Sequence, residues 1–301
     1  MPLDELYEQR SGIGAAVDEK FADKIALHVR MKQCTGNKIT IYQIYFRPEQ
    51  RKGLAPEFVP YFKSEEKERE WREYWSFKEN SARALKSKGL TGYVSWKFES
   101  KSCVAAAKFI RFIENNPGYD VYFLNPFPID ALLFDNVWLH AEHYHPGILE
   151  FSEKLLKTLG YSIDIRRMRN TIEQVAFSNY WVGNAKFWRL YMQFIAPIEQ
   201  YIRNNLTADE SKFVYSVADK VSNCSHIPFI IERLFTTLLV ARPDIRYLSY
   251  QYDSDDLKDR YSTHNRICYR LLRSEKIRQS IIGKALIRWI MFLRRIFPKT
   301  I

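Results

Sequence analysis

Cysteine is scarce. The 301-residue chain has four, Cys34, Cys103, Cys224 and Cys268, and no two stand at CxxC spacing. That scatter argues against a disulfide scaffold or a thiolate zinc site; reduced, mostly buried thiols are expected. The glycine motifs that grip phosphates or present a serine are missing too. There is no GxxxxGK[ST], no GxGxxG and no GxSxG, which argues against P-loop, Rossmann-motif and α/β-hydrolase chemistry. The opening MPLDELYEQR is acidic and has no apolar centre, so nothing there reads as a signal peptide and a cytoplasmic protein is expected. There is no internal repeat and no low-complexity linker. In the basic C-terminal segment the longest purely apolar run is Trp289–Leu293, against the ~20 residues needed to span a bilayer.

What is present suffices for a packed core: 46% of residues are hydrophobic and 15% aromatic. The net charge of +11 is unevenly spread. Between Arg270 and Ile301 nine Lys/Arg stand against Glu275, a net of +8, which leaves +3 for residues 1–269. Basicity confined to one end is a poor match for a nucleic-acid binder that uses its whole surface.

Residues 1–37 read as a helical or loosely ordered lead-in. KITIYQIYF (Lys38–Phe46) is β-branched and aromatic and predicts a first strand. Three prolines and Gly53 make Arg47–Tyr61 a loop. A charge-rich helix then runs to Gly89. LTGYVSWKF (Leu90–Phe98) predicts a second strand, SCVAAAKFIRFIENN an amphipathic helix stopped by Pro117 and Gly118, and YDVYFLN a third strand. This alternation points to an α/β sheet with parallel members. Beyond Asp130 the pattern is mostly helical. It includes a helix closed by Gly160, a short strand or bend over Val175–Asn184, a long helix broken near Pro197, an apolar helix ending before Pro243, and a last strand in DIRYLSYQYD. The expected organisation is a lead-in over 1–37, one α/β domain over 38–265 and a basic amphipathic tail over 266–301.

DVYFLNPFP (Asp120–Pro128) reads as a buried strand that stops abruptly. Ligands of open α/β sheets bind beyond the carboxyl ends of strands, so Asp120 and Asn125 become candidates for a crevice. An ordinary corner capped by Asn125 fits the same residues. Three of the six histidines fall in NVWLHAEHYHPG (Asn136–Gly147): His140, His143 and His145, with Glu142 among them. On a strand His143 and His145 share a face opposite Glu142; on a helix His140 and His143 pair. Neither layout gives a familiar zinc spacing, so acid–base work suits these groups better than metal binding. Exposed loop histidines are the plain alternative. FSNYWVGNAKFW (Phe177–Trp188) sets Ser178, Asn179 and Tyr180 beside rings that suit either a sugar face or a core cluster. Glu232 and Arg233 interrupt an apolar helix, as a structural ion pair or as a hook for phosphate or sugar. In the tail, at about 100° per residue, Lys284, Arg288 and Arg295 share one face and Ile282, Leu286, Trp289 and Leu293 the opposite one. Such a helix lies on an anionic membrane surface, or docks with its basic face simply solvated.

KITIYQIYF, EWREYW, GYVSWKF, DVYFLNPFP, NVWLHAEHYHPG, FSNYWVGNAKFWRLY and PFIIERLF follow one another over about residues 38–240. In that order they resemble a domain of bacterial surface-polysaccharide biosynthesis proteins and, more loosely, the GT-A-type glycosyltransferases. The resemblance implies a GT-A-like mixed, mostly parallel sheet flanked by helices. It also implies transfer of a sugar from a nucleotide-sugar donor to a lipid-linked glycan acceptor, in O-antigen, lipopolysaccharide or capsule assembly. GT-A enzymes often hold a metal on the donor diphosphate through a DxD motif. Here DVYFLNPFP supplies only Asp120, and the formal DxD of DSDD (Asp253–Asp256) lies late in a polar loop. No cofactor is therefore assigned, and a divalent metal, Mn or Mg, stays open. Without one, cations must steady the leaving diphosphate; Lys97 and Arg233 are the candidates. In this reading Glu142 is the general base and His143 or His145 orients it. Asp120 and Asn125 contact the donor, and Asn179, Tyr180 and Trp138 the sugar. Residues 275–301 hold the protein at the inner face of the cytoplasmic membrane. One competing reading is a non-catalytic carbohydrate-binding or scaffold component of the same machinery. Another is a nucleic-acid-associated enzyme, which leaves Trp289–Leu293 without purpose; no nucleic acid is expected as a partner.

Overall fold

The computed structural model describes residues 38–64, 69–219 and 223–296; the expected lead-in over 1–37 lies outside them. Six strands form one mixed sheet. They are β1 (Ile39–Tyr45), β2 (Val59–Phe62), β3 (Leu90–Ser95), β4 (Val121–Phe123), β5 (Trp181–Gly183) and β6 (Tyr247–Ser249), ordered β2-β1-β3-β5-β4-β6. β1 and β2 run parallel, as do β4 and β6, whereas β5 is antiparallel to both β3 and β4. β3, β4 and β6 therefore point the same way, and their carboxyl ends meet the amino end of β5 along one edge. Gly92 of β3 lies opposite Val182 of β5. A Cβ there would crowd the Trp181 carbonyl oxygen, so the close approach of these two strands requires glycine.

The stretch expected to be all loop contains β2. Its Pro60 is tolerated because β2 ends the sheet, where a missing N–H interrupts no ladder.

The flanking helices used below are α1 (Arg72–Lys86), α2 (Ala106–Asn115), α3 (Val137–Tyr144), α4 (Ile148–Thr158), α5 (Ala185–Asn204), α6 (Ile227–Ala241), α7 (Thr263–Leu272) and α8 (Ile281–Ile296). α3 starts where the Asn136 side chain accepts from the N–H groups of Trp138 and Leu139, an N-cap that satisfies two otherwise orphaned donors. α5, expected to break near Pro197, continues through it. Phe194, Ile195, Ile198 and Ile202 are buried on both sides of the proline, and that burial holds one helix together across the lost hydrogen bond. Phe77 of α1 and Trp188 and Tyr191 of α5 pack around Trp181 at ring separations of 5.2, 4.7 and 5.0 Å, an aromatic centre between helices and sheet.

The expected boundary at 265/266 falls inside α7, whose Cys268, Tyr269 and Leu272 are buried. α8 is docked as well: Ile290 is buried, and Gly283 sits so close to the Ile277 carbonyl that a Cβ would overlap it. Leu286 and Leu293, expected on the free apolar face, are half-buried, while Ile281, Ile282, Trp289 and Phe292 are exposed. The side chain of Arg295 lies outside the described residues. No helix among the described residues is long and apolar enough to cross a membrane.

Candidate functional site

The shared edge of β3, β4 and β5 is the place to build from. Ser95–Lys97 close β3, Leu124–Pro128 follow β4, and Ser178–Tyr180 lead into β5. Ser178 holds φ at +79°, a left-handed conformation that residues with a side chain rarely adopt and that concentrates at functional sites. Its hydroxyl accepts from Lys101 Nζ at 2.7 Å, and the Tyr180 and Ser95 hydroxyls pair at 2.6 Å. Asn179 Nδ2 donates to Glu73 Oε2 at 2.8 Å, which ties the first turn of α1 to the start of β5.

Glu73 is the unusual group. Burial, then the negative charge of Glu232, pushes its carboxyl up to about 7, against the pull of Asn179 and Lys101. Glu232 comes from α6 and pairs with Arg233 Nη1 at 2.9 Å. Arg233 is buried; it also donates to the Phe229 carbonyl at 3.1 Å, and its Nη2 lies 3.4 Å from His140 Nδ1. The His140 ring stacks on Phe177 at 4.0 Å. Beside them the Phe127 ring carries Lys101 Nζ at 5.2 Å and Arg260 Cζ at 4.8 Å. Arg260 is fixed by the carbonyls of Pro126, at 2.8 Å, and Lys101. Two carboxyls and three cations thus gather at the strand ends. A carboxyl that titrates near neutrality can take a proton from a hydroxyl, and fixed cations can neutralise a departing anion.

Of the residues singled out in the sequence, Arg233, Asn179, Tyr180, Lys97 and Asn125 reach this edge. Lys97 is exposed, with Nζ 5.1 Å from the Trp96 ring. Asn125 is spent on its own corner: its Oδ1 accepts from Phe127 N at 3.1 Å and Phe177 N at 3.4 Å. Tyr180 is buried with its hydroxyl against that of Ser95, and burial raises its pKa.

The other candidates lie elsewhere. Asp120 precedes β4 and so stands at its opposite end. There it accepts from Asn184 Nδ2, Lys186 Nζ and Arg246 N at 3.0, 2.9 and 3.0 Å. Glu142 caps α4, accepting from Gly147 N at 2.9 Å and Leu149 N at 2.9 Å; a carboxylate held by backbone donors is occupied and not poised as a base. His143 is exposed against the Phe134 and Tyr144 rings. His145 lies over Phe229 at 3.7 Å with Nδ1 3.1 Å from the Ala218 carbonyl, and burial lowers its pKa. Trp138 is fully buried and donates to Thr237 Oγ1 at 2.9 Å, so it is core and not a sugar platform. The cluster is helical, so His140 and His143 fall on one side and both meet the Phe134 and Tyr144 rings, while Glu142 and His145 are engaged elsewhere; of the four only His140 reaches the edge. Glu142→Gln is expected to cost about 1–2 kcal/mol of stability, read by urea unfolding.

Among the described residues no three His, Cys, Asp or Glu side chains gather as metal ligands. Asp253 and Asp256 of DSDD cap the short helix Ser254–Lys258 and grip Lys108 at 2.9 and 2.6 Å. Glu232 faces Arg233, and Glu73 titrates near neutrality. Carboxyls already engaged by cations or held near half-protonation do not suit a divalent metal.

Glu73 and Lys101 escaped the reading of the sequence. Glu73 sits in the charge-dense EKEREWREYW, where one acid among many looks solvated; the available signal was its place among Trp71, Tyr74 and Phe77, all buried. Lys101 carried no signal at all. Comparison with protein-family models, curated proteins and solved structures gives no match for this chain.

Proposed function

We propose that this chain is a glycosyltransferase of GT-A-like architecture that moves a sugar from a nucleotide-sugar donor to a hydroxyl of a lipid-linked glycan in bacterial surface-polysaccharide assembly. The observation that carries the reading is Glu73, a carboxyl raised to about 7 at the carboxyl ends of β3 and β4, beside Glu232, Lys101 and Arg233. Glu73 takes the proton of the acceptor hydroxyl as its oxygen bonds to the sugar's anomeric carbon. The bond from that carbon to the diphosphate breaks, and Lys101 and Arg233 balance the charge that leaves. Arg260 and the Phe127 ring hold the donor side of the edge, and Asn179 fixes the carboxyl's orientation. The test is release of nucleoside diphosphate from a panel of UDP-, GDP- and dTDP-sugars by the full chain with a bacterial lipid extract as acceptor. Release that depends on the extract is expected. Binding of the glycan without release from any donor supports the rival reading, a non-catalytic component of the same machinery.

A lipid-linked acceptor requires access to a membrane, and α8 suits that. Ile281, Ile282, Trp289 and Phe292 are 88, 77, 51 and 53% exposed, and Lys284 and Arg288 are exposed on the same helix. Rings and aliphatic groups beside cations match an anionic bilayer surface. The chain is expected to float with phosphatidylglycerol vesicles at low salt. Changing Ile281, Ile282 and Trp289 to Ser, none of them buried, should leave it at the bottom of the gradient. Equal flotation of the two proteins ends the membrane reading.

A further inference from the structure

Beyond β6 lies a cavity of about 190 Å³ that the reading above does not use. Arg266 and Arg270 of α7 and Arg273, which caps its carboxyl end, line it, spaced i, i+4 and i+7 and so on one side. Tyr252 and Tyr269 form much of the remaining wall. Tyr252 is only 4% exposed, yet its hydroxyl has no hydrogen-bond partner among the described residues. Burial raises its pKa, so it stays a protonated donor. Arg266 Nε is also buried without a partner, although its Nη2 donates to Thr263 Oγ1 at 3.0 Å. Arg273 is steadied by Gln251 Oε1 at 3.1 Å and Arg270 by Ser254 Oγ, which fixes the guanidinium groups at the wall. The carboxylate in the lining, Asp253, is taken up by Lys108 at 2.9 Å and by the N–H groups of Asp255 and Asp256. The cavity therefore combines three cations with two buried donors that lack an acceptor. Unpaired buried donors are costly and uncommon, and their usual explanation is a missing partner.

We propose that this cavity binds a phosphate group, held by the guanidinium groups of Arg266, Arg270 and Arg273 and by the Tyr252 hydroxyl. Phosphate supplies several acceptor oxygens and negative charge in one compact group, and arginine meets such groups with paired N–H bonds. The site shares no residue with the Glu73–Glu232 cluster and stands whether or not that cluster transfers sugar. The phosphate can arrive on a soluble ligand or on the headgroup of an anionic lipid, and two arms of one experiment separate the sources.

In the first arm the full chain is titrated calorimetrically with inorganic pyrophosphate. Saturable binding at one site is expected. R266Q/R270Q should weaken it at least tenfold, and Tyr252→Phe, which removes one oxygen and keeps the ring, several-fold. Tyr252→Phe also leaves no orphaned hydroxyl, so it should fold at least as stably as the parent, and a loss of binding in it is not a loss of fold. In the second arm the same proteins are titrated with a short-chain phosphatidylglycerol kept below its micelle concentration, which offers the headgroup without the bilayer surface that suits α8. Variants that lose pyrophosphate but bind the short-chain lipid like the parent, or a parent that binds no such lipid, place the phosphate on a soluble ligand. Variants that lose both place it on the lipid. A parent that does not bind pyrophosphate, or variants that bind it as the parent does, overturns the proposal.

Discussion

Replacing Glu73 with Gln is expected to stop the proposed sugar transfer and, at pH 8, to stabilise the fold. The two effects share one cause. In the unfolded chain this carboxyl titrates near 4.5, and in the folded protein near 7, because burial and the charge of Glu232 favour its neutral form. Between those values the folded state keeps a proton that the unfolded state has released. Stability therefore falls as pH rises from about 4.5 to about 7, and the whole loss is in place above 7. For a half-buried carboxyl we expect about 2 kcal/mol. Gln cannot ionise, and its oxygen can still accept from Asn179 Nδ2, so the variant keeps the stability that the parent loses. Measured by urea unfolding, the two proteins should coincide at pH 4 and separate by pH 8. Turnover should fall by ~10²–10⁴, the usual contribution of a general base, and the parent's kcat/KM should rise with pH through about 7. A variant that turns over normally, or whose urea midpoint follows the parent's from pH 4 to 8, removes Glu73 from the mechanism.

Period and propensity exposed most of the fold. β1, β3, β4 and β6 each carry runs of β-branched or aromatic residues, and the α/β alternation follows from them. β2 was hidden because its Pro60 is a loop signal unless the strand is known to end the sheet. The site was less legible, because which end of a strand a residue occupies depends on distance along it. Asp120 and Asn125 are five positions apart, and at ~3.3 Å per residue the strand between them carries them ~16 Å apart, to opposite ends. Their proximity in sequence implied a shared crevice that the strand forbids. The histidine–glutamate cluster misled for a related reason. Density suggests convergence, but on α3 the side chains fan around an axis, and Glu142 is drawn back to the amino end of α4. Glu73 joins the site through contacts with residues 106 and 159 positions away, Asn179 and Glu232, a relation that no local pattern encodes. In the tail the helix and its cations were plain, but the docked face could not be known without the surface that receives Ile290.

Asp120 should show the opposite behaviour to Glu73. Burial opposes its charge, but Asn184, the Arg246 N–H and Lys186 outweigh that and hold the carboxyl below its usual 3.8. Its stabilisation is present above the unfolded value and is lost as pH falls through the lower folded one. Asp120→Asn weakens the bond to Lys186 and unbalances the donors around it, so a loss of about 2–3 kcal/mol is expected at pH 7, or a melting point lower by about 5–10 °C. In acid, where the parent's carboxyl is also protonated, the gap should close. Because the two carboxyls bracket the sheet from opposite ends and share no partner, their effects should add. The parent's stability should then rise from acid toward about pH 4.5 and fall again toward neutrality. Asp120→Asn should flatten the acid limb, Glu73→Gln the neutral limb, and the double variant both. Asp120→Asn that melts like the parent but no longer releases nucleoside diphosphate would mean that the aspartate acts on a donor, and the clasp with Lys186 and Asn184 would not be its purpose.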